Sequence, residues 1–387
     1  MRILHIIHSV DPAGGGPVEG IIRQCQALRG CTCEVVSLDP PDAPFLDDFP
    51  LTVHALGVRA HTSRLSRFGY TPQLVPWLKA HAGDYDIAVV NGLWNYASAG
   101  SSRILPRLGL PYVVYPHGMM DPWFRRAYPA KHWLKQIFWW LFDGRLMRHA
   151  RSALFTCEEE MVLARGQFWG HPYREQVARY GSGAVPDDDG TPIAEFRARL
   201  PALGDRPYLL FLGRLHPKKG CDLLIRAFAA VAPEFDLVMA GPDQVGWMAV
   251  LQQLADRMGV GGRIHWPGLL TGAAKWGALR GAEVFVLPSH QESFGVAVGE
   301  ALGCSTPVLI TDKVNIWREF VAAGAGLTET DDEVGIEKLL QSYLALAPSE
   351  RTRMRAAARQ CFAEHFDMTA TAAKTLEIFR QLGKTAA

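Results

Sequence analysis

The chain has 387 residues, 48% of them hydrophobic and 20% charged, with a formal net charge of +1. That length exceeds one ordinary hydrophobic core and implies two domains, while the near-neutral charge argues against a nucleic-acid partner, since such domains carry a strong basic excess. No window approaches the ~18 consecutive apolar residues of a membrane span, and seven cysteines, an odd number without Cys-x-x-Cys spacing, fit neither a disulfide framework nor a structural zinc site.

Reduced thiols point to the cytoplasm. The start, Met1 to His8, has too short an apolar run for a secretory signal and passes into a glycine-rich turn, so it reads as a first strand over Leu4–His8. Gly14-Gly15-Gly16-Pro17 follows, ahead of a helix over Val18–Leu28. With no Cβ in the way, Gly15 and Gly16 let the backbone approach a ligand closely, although a tight turn without a ligand reads the same way. The loop has neither the Gly-x-Gly-x-x-Gly spacing nor a Walker lysine, so a nicotinamide or ATP site loses support. Cys33–Leu38 reads as the next strand.

Further along, Val113 to Trp123 sets His117 in the turn after a strand, on the same edge as the glycine loop. A lone histidine there is either held by a backbone carbonyl or reaches a ligand. Residues Arg125 to Arg151 then hold seven lysines and arginines against one acid, Asp143, interleaved with Trp133, Phe138, Trp139, Trp140 and Phe142. A membrane-surface helix would look like this, and so would a core helix with a solvated basic rim.

Gly181 to Pro192 combines glycine, proline and acids as an exposed connection does, and a second series of strands and helices begins at Arg206–Gly213. Its later strands read as Leu237–Ala240, Ile264–Trp266, Val284–Leu287 and Pro307–Ile310. Strands alternating with amphipathic helices imply parallel sheets with helices on both faces. The expected domains are therefore 1–190 and 205–365, both α/β and doubly wound, with a wholly helical tail over Pro348–Leu382.

Gly213-Arg214 closes the first strand of the second series, with Lys219 five residues on, beside the start of a helix over Cys221–Ala230. Two cations and a helix amino terminus converge there, an arrangement suited to a diphosphate; a solvated basic turn is the plainer reading. Glu292 falls in the loop after Val284–Leu287. Ser293 reads as the N-cap of a helix over Phe294–Cys304, with Glu300 about two turns into it. Open α/β sheets collect ligands where strands end and helices begin.

Glu292, seven residues, Glu300, flanked by Phe294-Gly295 and Ala301-Leu302, resembles the signature of the GT4 group of retaining glycosyltransferases with the GT-B fold. Gly14 to Gly16, His117 and Gly213 to Lys219 extend the resemblance over nearly the whole chain. It implies two Rossmann-like domains facing across a cleft, the last helix, about 366–387, packing back on the first. It also implies a nucleotide-sugar donor, GDP- or UDP-linked, no metal, and a hexosyl group passed with retention to a saccharide or lipid-linked saccharide. By resemblance His117 hydrogen-bonds the transferred sugar and supports charge near the reacting carbon. Arg214 and Lys219 hold the diphosphate, Glu292 the sugar hydroxyls and Glu300 the ribose. Gly15, Gly16, Gly213, Gly241, Ser293, Phe294 and Gly295 line the donor. The look of the chain is similar to bacterial polysaccharide and O-antigen enzymes, at the cytoplasmic face of a membrane if the acceptor is lipid-linked, with Arg125–Arg151 as the contact. An epimerase on the same frame, or a non-catalytic nucleotide-sugar binding protein, are the alternatives; no acid–base partner stands beside His117 for the first. Gly303-Cys304-Ser305-Thr306 before Pro307, and the absence of a Pro-Asn-Gly turn near Tyr180 to Pro186, depart from the family pattern.

Overall fold

The computed structural model describes all residues except 13–15, 59–67, 184, 187–189, 232–233, 244 and 384–387, and of residues 16, 126 and 127 the backbone only. The chain divides into two compact units, Met1–Gly181 with Met368–Ala387, and Ser182–Asp367.

In the first unit seven strands form one parallel sheet: β1 Arg2–Ile7, β2 Thr32–Ser37, β3 Thr52–Ala55, β4 Ile87–Asn91, β5 Tyr112–Tyr115, β6 Ser152–Phe155 and β7 Glu175–Val177. Their order is β3-β2-β1-β4-β5-β6-β7. Strands β4, β5 and β6 are buried at every position, as parallel strands covered on both faces are. The two-residue period of a strand then supplies both layers. Leu4, Ile6 and Val36 enter one apolar cluster, Ile7 and Val35 the other. The helix Gly16–Ala27 lays Val18, Ile21 and Cys25 into the second cluster, and the last helix, Met368–Leu382, packs against that same helix.

The segment after β5 is helical from Trp123–Ala127 through Pro129–Phe138, a wide π turn over Trp139–Asp143, and Gly144–His149. Asp143 is fully buried, its Oδ2 accepting the Trp94 N–H at 2.8 Å while Oδ1 has no hydrogen-bond partner among the described residues. Burial raises its pKa to about 7, against smaller opposing contributions from the Trp94 amide, Ser98 and Lys135. The folded carboxyl therefore keeps its proton to higher pH than an unfolded aspartate does. Its contribution to stability is fully present below about pH 4 and is lost as pH rises to about 7. Urea unfolding at pH 5 and pH 8 should show the wild type losing on the order of 2 kcal/mol more than Asp143→Asn across that window. Equal losses would show that the carboxyl is already ionised at pH 5.

The second unit holds β8 Tyr208–Leu212, β9 Asp236–Ala240, β10 Ile264–Gly268, β11 Val284–Leu287, β12 Val308–Thr311 and β13 Gly326–Glu329. They form a parallel sheet in the order β10-β9-β8-β11-β12-β13. Leu209 pairs with Leu237 on one side and Val284 on the other, so β8 is central. Tyr208, Phe211, Phe228 and Phe285 are the bulky fillers of this core.

Two expectations are corrected. The helix after β11 is Val296–Gly303, and its N-cap is Gly295, not Ser293. Gly295 stands at φ 69°, a left-handed conformation that a glycine adopts without strain, and it delays the helix by two residues. The tail is not one helix. Pro348–Cys361 runs into a wide turn at Phe362–Phe366, and Asp367 is extended, bridging Ser182, whose N–H donates to Phe366 O at 2.8 Å.

Candidate functional site

In each sheet the first strand lies between the second and the fourth, so the chain winds outward in opposite directions from β1/β4 and from β8/β11. Loops leaving the carboxyl ends of such a strand pair run apart and leave a crevice where ligands bind.

In the second unit the loops at that edge lock together. After β8 come Gly213, Arg214 and a short 3-10 turn, Pro217–Lys219, whose fold is set by the His216 side chain accepting the Lys218 N–H. Gly220 follows at φ 64° with its α-carbon against the Pro288 carbonyl, so no side chain fits there. The His290 N–H donates to Lys218 O at 2.9 Å, which ties the β11 loop to the β8 loop. Glu292 donates its N–H to Lys313 O and accepts the Asn315 N–H, both at 2.9 Å, so the β12 loop fixes its backbone. Against that scaffold the Lys219 ammonium donates to the Glu292 carboxylate, both side chains more than three-quarters buried.

Gly241 ends β9 at φ 144°, its α-carbon pressed on the Gly213 carbonyl. Glu300 lies one turn into its helix, 7% exposed, and takes a hydrogen bond from Lys275 Nζ at 2.7 Å. Lys275 also sits over the Trp276 ring at 4.3 Å. Arg214, Lys218 and Ser293 are exposed, and Phe294 is edge-on to Phe366 at 6.0 Å. The structure thus brings Gly213, Lys219, Gly241, Glu292, Gly295 and Glu300 to the loops and helix start along one sheet edge.

His117 belongs to the first unit. It follows β5 at φ 51°, with its ring stacked on Tyr115 at 5.5 Å and tilted to Tyr180 at 5.7 Å. Two residues hold it that the sequence did not single out. Asn91, at the end of β4, donates through Nδ2 to Val89 O at 3.1 Å and His5 Nδ1 at 3.4 Å, leaving Oδ1 to accept the His117 Nε2–H at 3.1 Å. Nδ1 of His117 is then the acceptor that remains. Buried Glu160 accepts the next amide, Gly118 N–H, at 2.6 Å. Burial lowers the His117 pKa to about 3, with a smaller push from His5, so the ring is neutral and supports charge only through its lone pair. Gly15 lies outside the described residues, and Gly16 is the first residue of the Gly16–Ala27 helix.

Behind this, His5, Cys25 and Cys33 bring their donor atoms within 4.8 Å of one another. Spacing along the chain gave no sign of that cluster, because it is assembled from β1, β2 and the helix between them.

Two parallel α/β units with this strand order define a doubly wound two-unit fold, and solved structures share it over nearly the whole chain. HepE of Anabaena, solved in complex with UDP, superposes with a TM-score of 0.77 at 17% identity over 99% of this chain and 100% of that one. Sucrose-phosphate synthase from Thermosynechococcus elongatus gives 0.72 at 19% identity over 99% of each. The fold is GT-B. Residues 15–181 match the Glycosyl transferase 4-like domain and residues 192–361 match Glycosyl transferases group 1, and the chain belongs to this GT4-type glycosyltransferase family. The D-inositol 3-phosphate glycosyltransferase of Xylanimonas cellulosilytica is 34% identical over 206 residues, 52% of this chain and 48% of that protein. The chain thus spans about half the length of such curated relatives.

Proposed function

We propose that the protein transfers a hexosyl group from a nucleotide-sugar to a saccharide or lipid-linked saccharide hydroxyl, with retention at the anomeric carbon and without a metal. The observation that carries this reading is the Lys219–Glu292 ion pair at the β8/β11 switch point, with Glu300 on the helix behind. Cleaving the glycosyl–phosphate bond places negative charge on the departing diphosphate. A fixed ammonium in a water-poor recess stabilises that charge as it develops, which is the task of Lys219, with Arg214 beside the same strand end. Gly213 and Gly241 let the main chain approach, and Phe294, Gly295 and Ser293 border the donor. Glu292 accepts sugar hydroxyls and Glu300 the vicinal ribose hydroxyls. His117 takes one sugar hydroxyl on its neutral ring.

The bond that breaks joins the anomeric carbon to the phosphate oxygen; the new one joins that carbon to the acceptor oxygen. The acceptor proton passes to the departing phosphate, so no separate base is assigned. Melting curves with UDP, GDP and ADP test the donor reading. At about 100 times its dissociation constant, the matching nucleotide adds about 2.7 kcal/mol, or roughly 5–10 °C for a unit of this size. A flat response to all three would overturn the reading. Similarity to polysaccharide and O-antigen enzymes is the basis for proposing that pathway, on the cytoplasmic side.

A further inference from the structure

The helical segment after β5 is apolar on two faces, one of which sends Trp139, Leu146 and Met147 into the core. Its inward positions include polar Gln136, 1% exposed, and Asp143, fully buried, whereas Trp133, Leu134, Ile137 and Leu141 stand 62%, 68%, 49% and 55% exposed. A surface helix of a water-soluble unit turns its apolar stripe to the core. Here Leu134, Ile137 and Leu141 fall three or four residues apart on the outward face, and Arg145 and Arg148, also exposed, continue the same stripe.

The polar groups turned inward are used. Gln136 Nε2 donates to Trp169 O at 3.0 Å, and Trp140 Nε1 donates to the same carbonyl at 3.1 Å. These bonds hold a neighbouring loop that carries Trp169, itself 60% exposed and edge-on to Trp140. Three tryptophans, a leucine pair and an isoleucine are therefore displayed together by deliberate anchoring. Such contiguous apolar display marks an interaction surface.

Charge selects the occupant. Among the described side chains from Trp123 to Arg151, the exposed charged ones are Arg125, Lys131, Arg145, Arg148 and Arg151, all cationic, and the segment's one acid, Asp143, is buried. Tryptophans and aliphatic side chains beside exposed arginines and lysines are the composition of a surface that lies in the boundary between lipid headgroups and acyl chains. No helix among the described residues is long and apolar enough to cross a membrane, so the contact is peripheral. We infer that the face formed by Trp133, Leu134, Ile137, Trp140, Leu141 and Trp169, with its arginine rim, docks on an anionic membrane surface. The inference stands apart from the donor chemistry; joined to the proposed reaction, it gives that reaction an acceptor anchored in lipid.

Co-sedimentation of the full chain with vesicles, without nucleotide or acceptor, tests it separately from the nucleotide melting curves. The wild type should sediment with phosphatidylcholine vesicles containing about one-third phosphatidylglycerol, and should bind pure phosphatidylcholine at least about tenfold more weakly. Trp133→Ser with Leu134→Ser and Ile137→Ser should lose at least about tenfold in binding to the anionic vesicles. Should that variant fail to fold by circular dichroism, Arg145→Glu with Arg148→Glu, which leaves the apolar stripe in place, should show a comparable loss. Wild type that stays in the supernatant, folded variants that bind as wild type does, or a dimer in light scattering that the serine variant abolishes would each overturn the proposal, the last by making a second copy the occupant.

Discussion

Replacing Lys219 with alanine is expected to lower turnover by roughly 10²–10³-fold with the fold intact. The ammonium is held by one partner, Glu292, in a pair that is mostly buried, and the turn carrying it is fixed by His216 and by the β11 loop. In the proposed role, a cation positioned in this way needs no reorganisation as charge builds on the leaving group, which is why its removal is expected to cost more than that of a solvated lysine. Arginine at the same site should restore little, because the fork is longer and planar where the turn is packed for a point charge. Binding should separate the role from a structural one. Lys219→Ala should weaken UDP or GDP far more than the corresponding nucleoside, and the circular dichroism melt should move little. Unchanged turnover would refute the diphosphate role; an equal loss for nucleotide and nucleoside would place Lys219 elsewhere.

Glu300→Gln should give the opposite pattern, weakening nucleotide and nucleoside alike by about ten- to a hundredfold. A glutamine keeps the size and one acceptor oxygen but loses the charge that, in the proposed role, strengthens the two hydrogen bonds to ribose. It also leaves Lys275 without its carboxylate at 2.7 Å, on a helix whose neighbours are buried. Calorimetric titration of the ribonucleotide against its 2′-deoxy form makes the assignment specific. The wild type should prefer the ribo form, and Glu300→Gln should erase most of that preference. A preference that survives intact would remove Glu300 from the ribose.

The sequence carried the second unit further than the first. Val284–Leu287 is placed to the residue, and Ile264 and Leu237 to within one or two, because short β-branched and aromatic runs bounded by proline or glycine have few other readings. The helix start was misplaced at Ser293 because serine is a good N-cap in isolation, while the decisive constraint is the left-handed backbone at Gly295, which spacing does not reveal. The same shift moved Glu300 from two turns into the helix to one. The break at Asp367 was hidden for a related reason. Alanine and arginine density reports helix propensity, and no glycine or proline marks the position where pairing with Ser182 interrupts it.

The first unit hid more of its site. His117 could be read as a histidine in a turn after a strand, but the residues that orient it are 26 and 42 positions distant from their contacts: Asn91 from His117, and Glu160 from Gly118. Neither Asn91 nor Glu160 sits in a recognisable motif. The basic, aromatic stretch left two readings open on composition alone. Burial shows both characters in the one segment: Trp139, Leu146 and Met147 enter the core, as a core helix requires, while Leu134 and Ile137 are exposed and Gln136 is buried.

Gly241 meets the Gly213 carbonyl at the ends of β9 and β8, with no room for even one methyl group on Gly241. That floor is closed to evolutionary tinkering. Any lineage that comes to accept a different sugar or base has to do so through residues whose side chains can be exchanged without moving a strand, and laboratory libraries aimed at new donors gain nothing by varying Gly241.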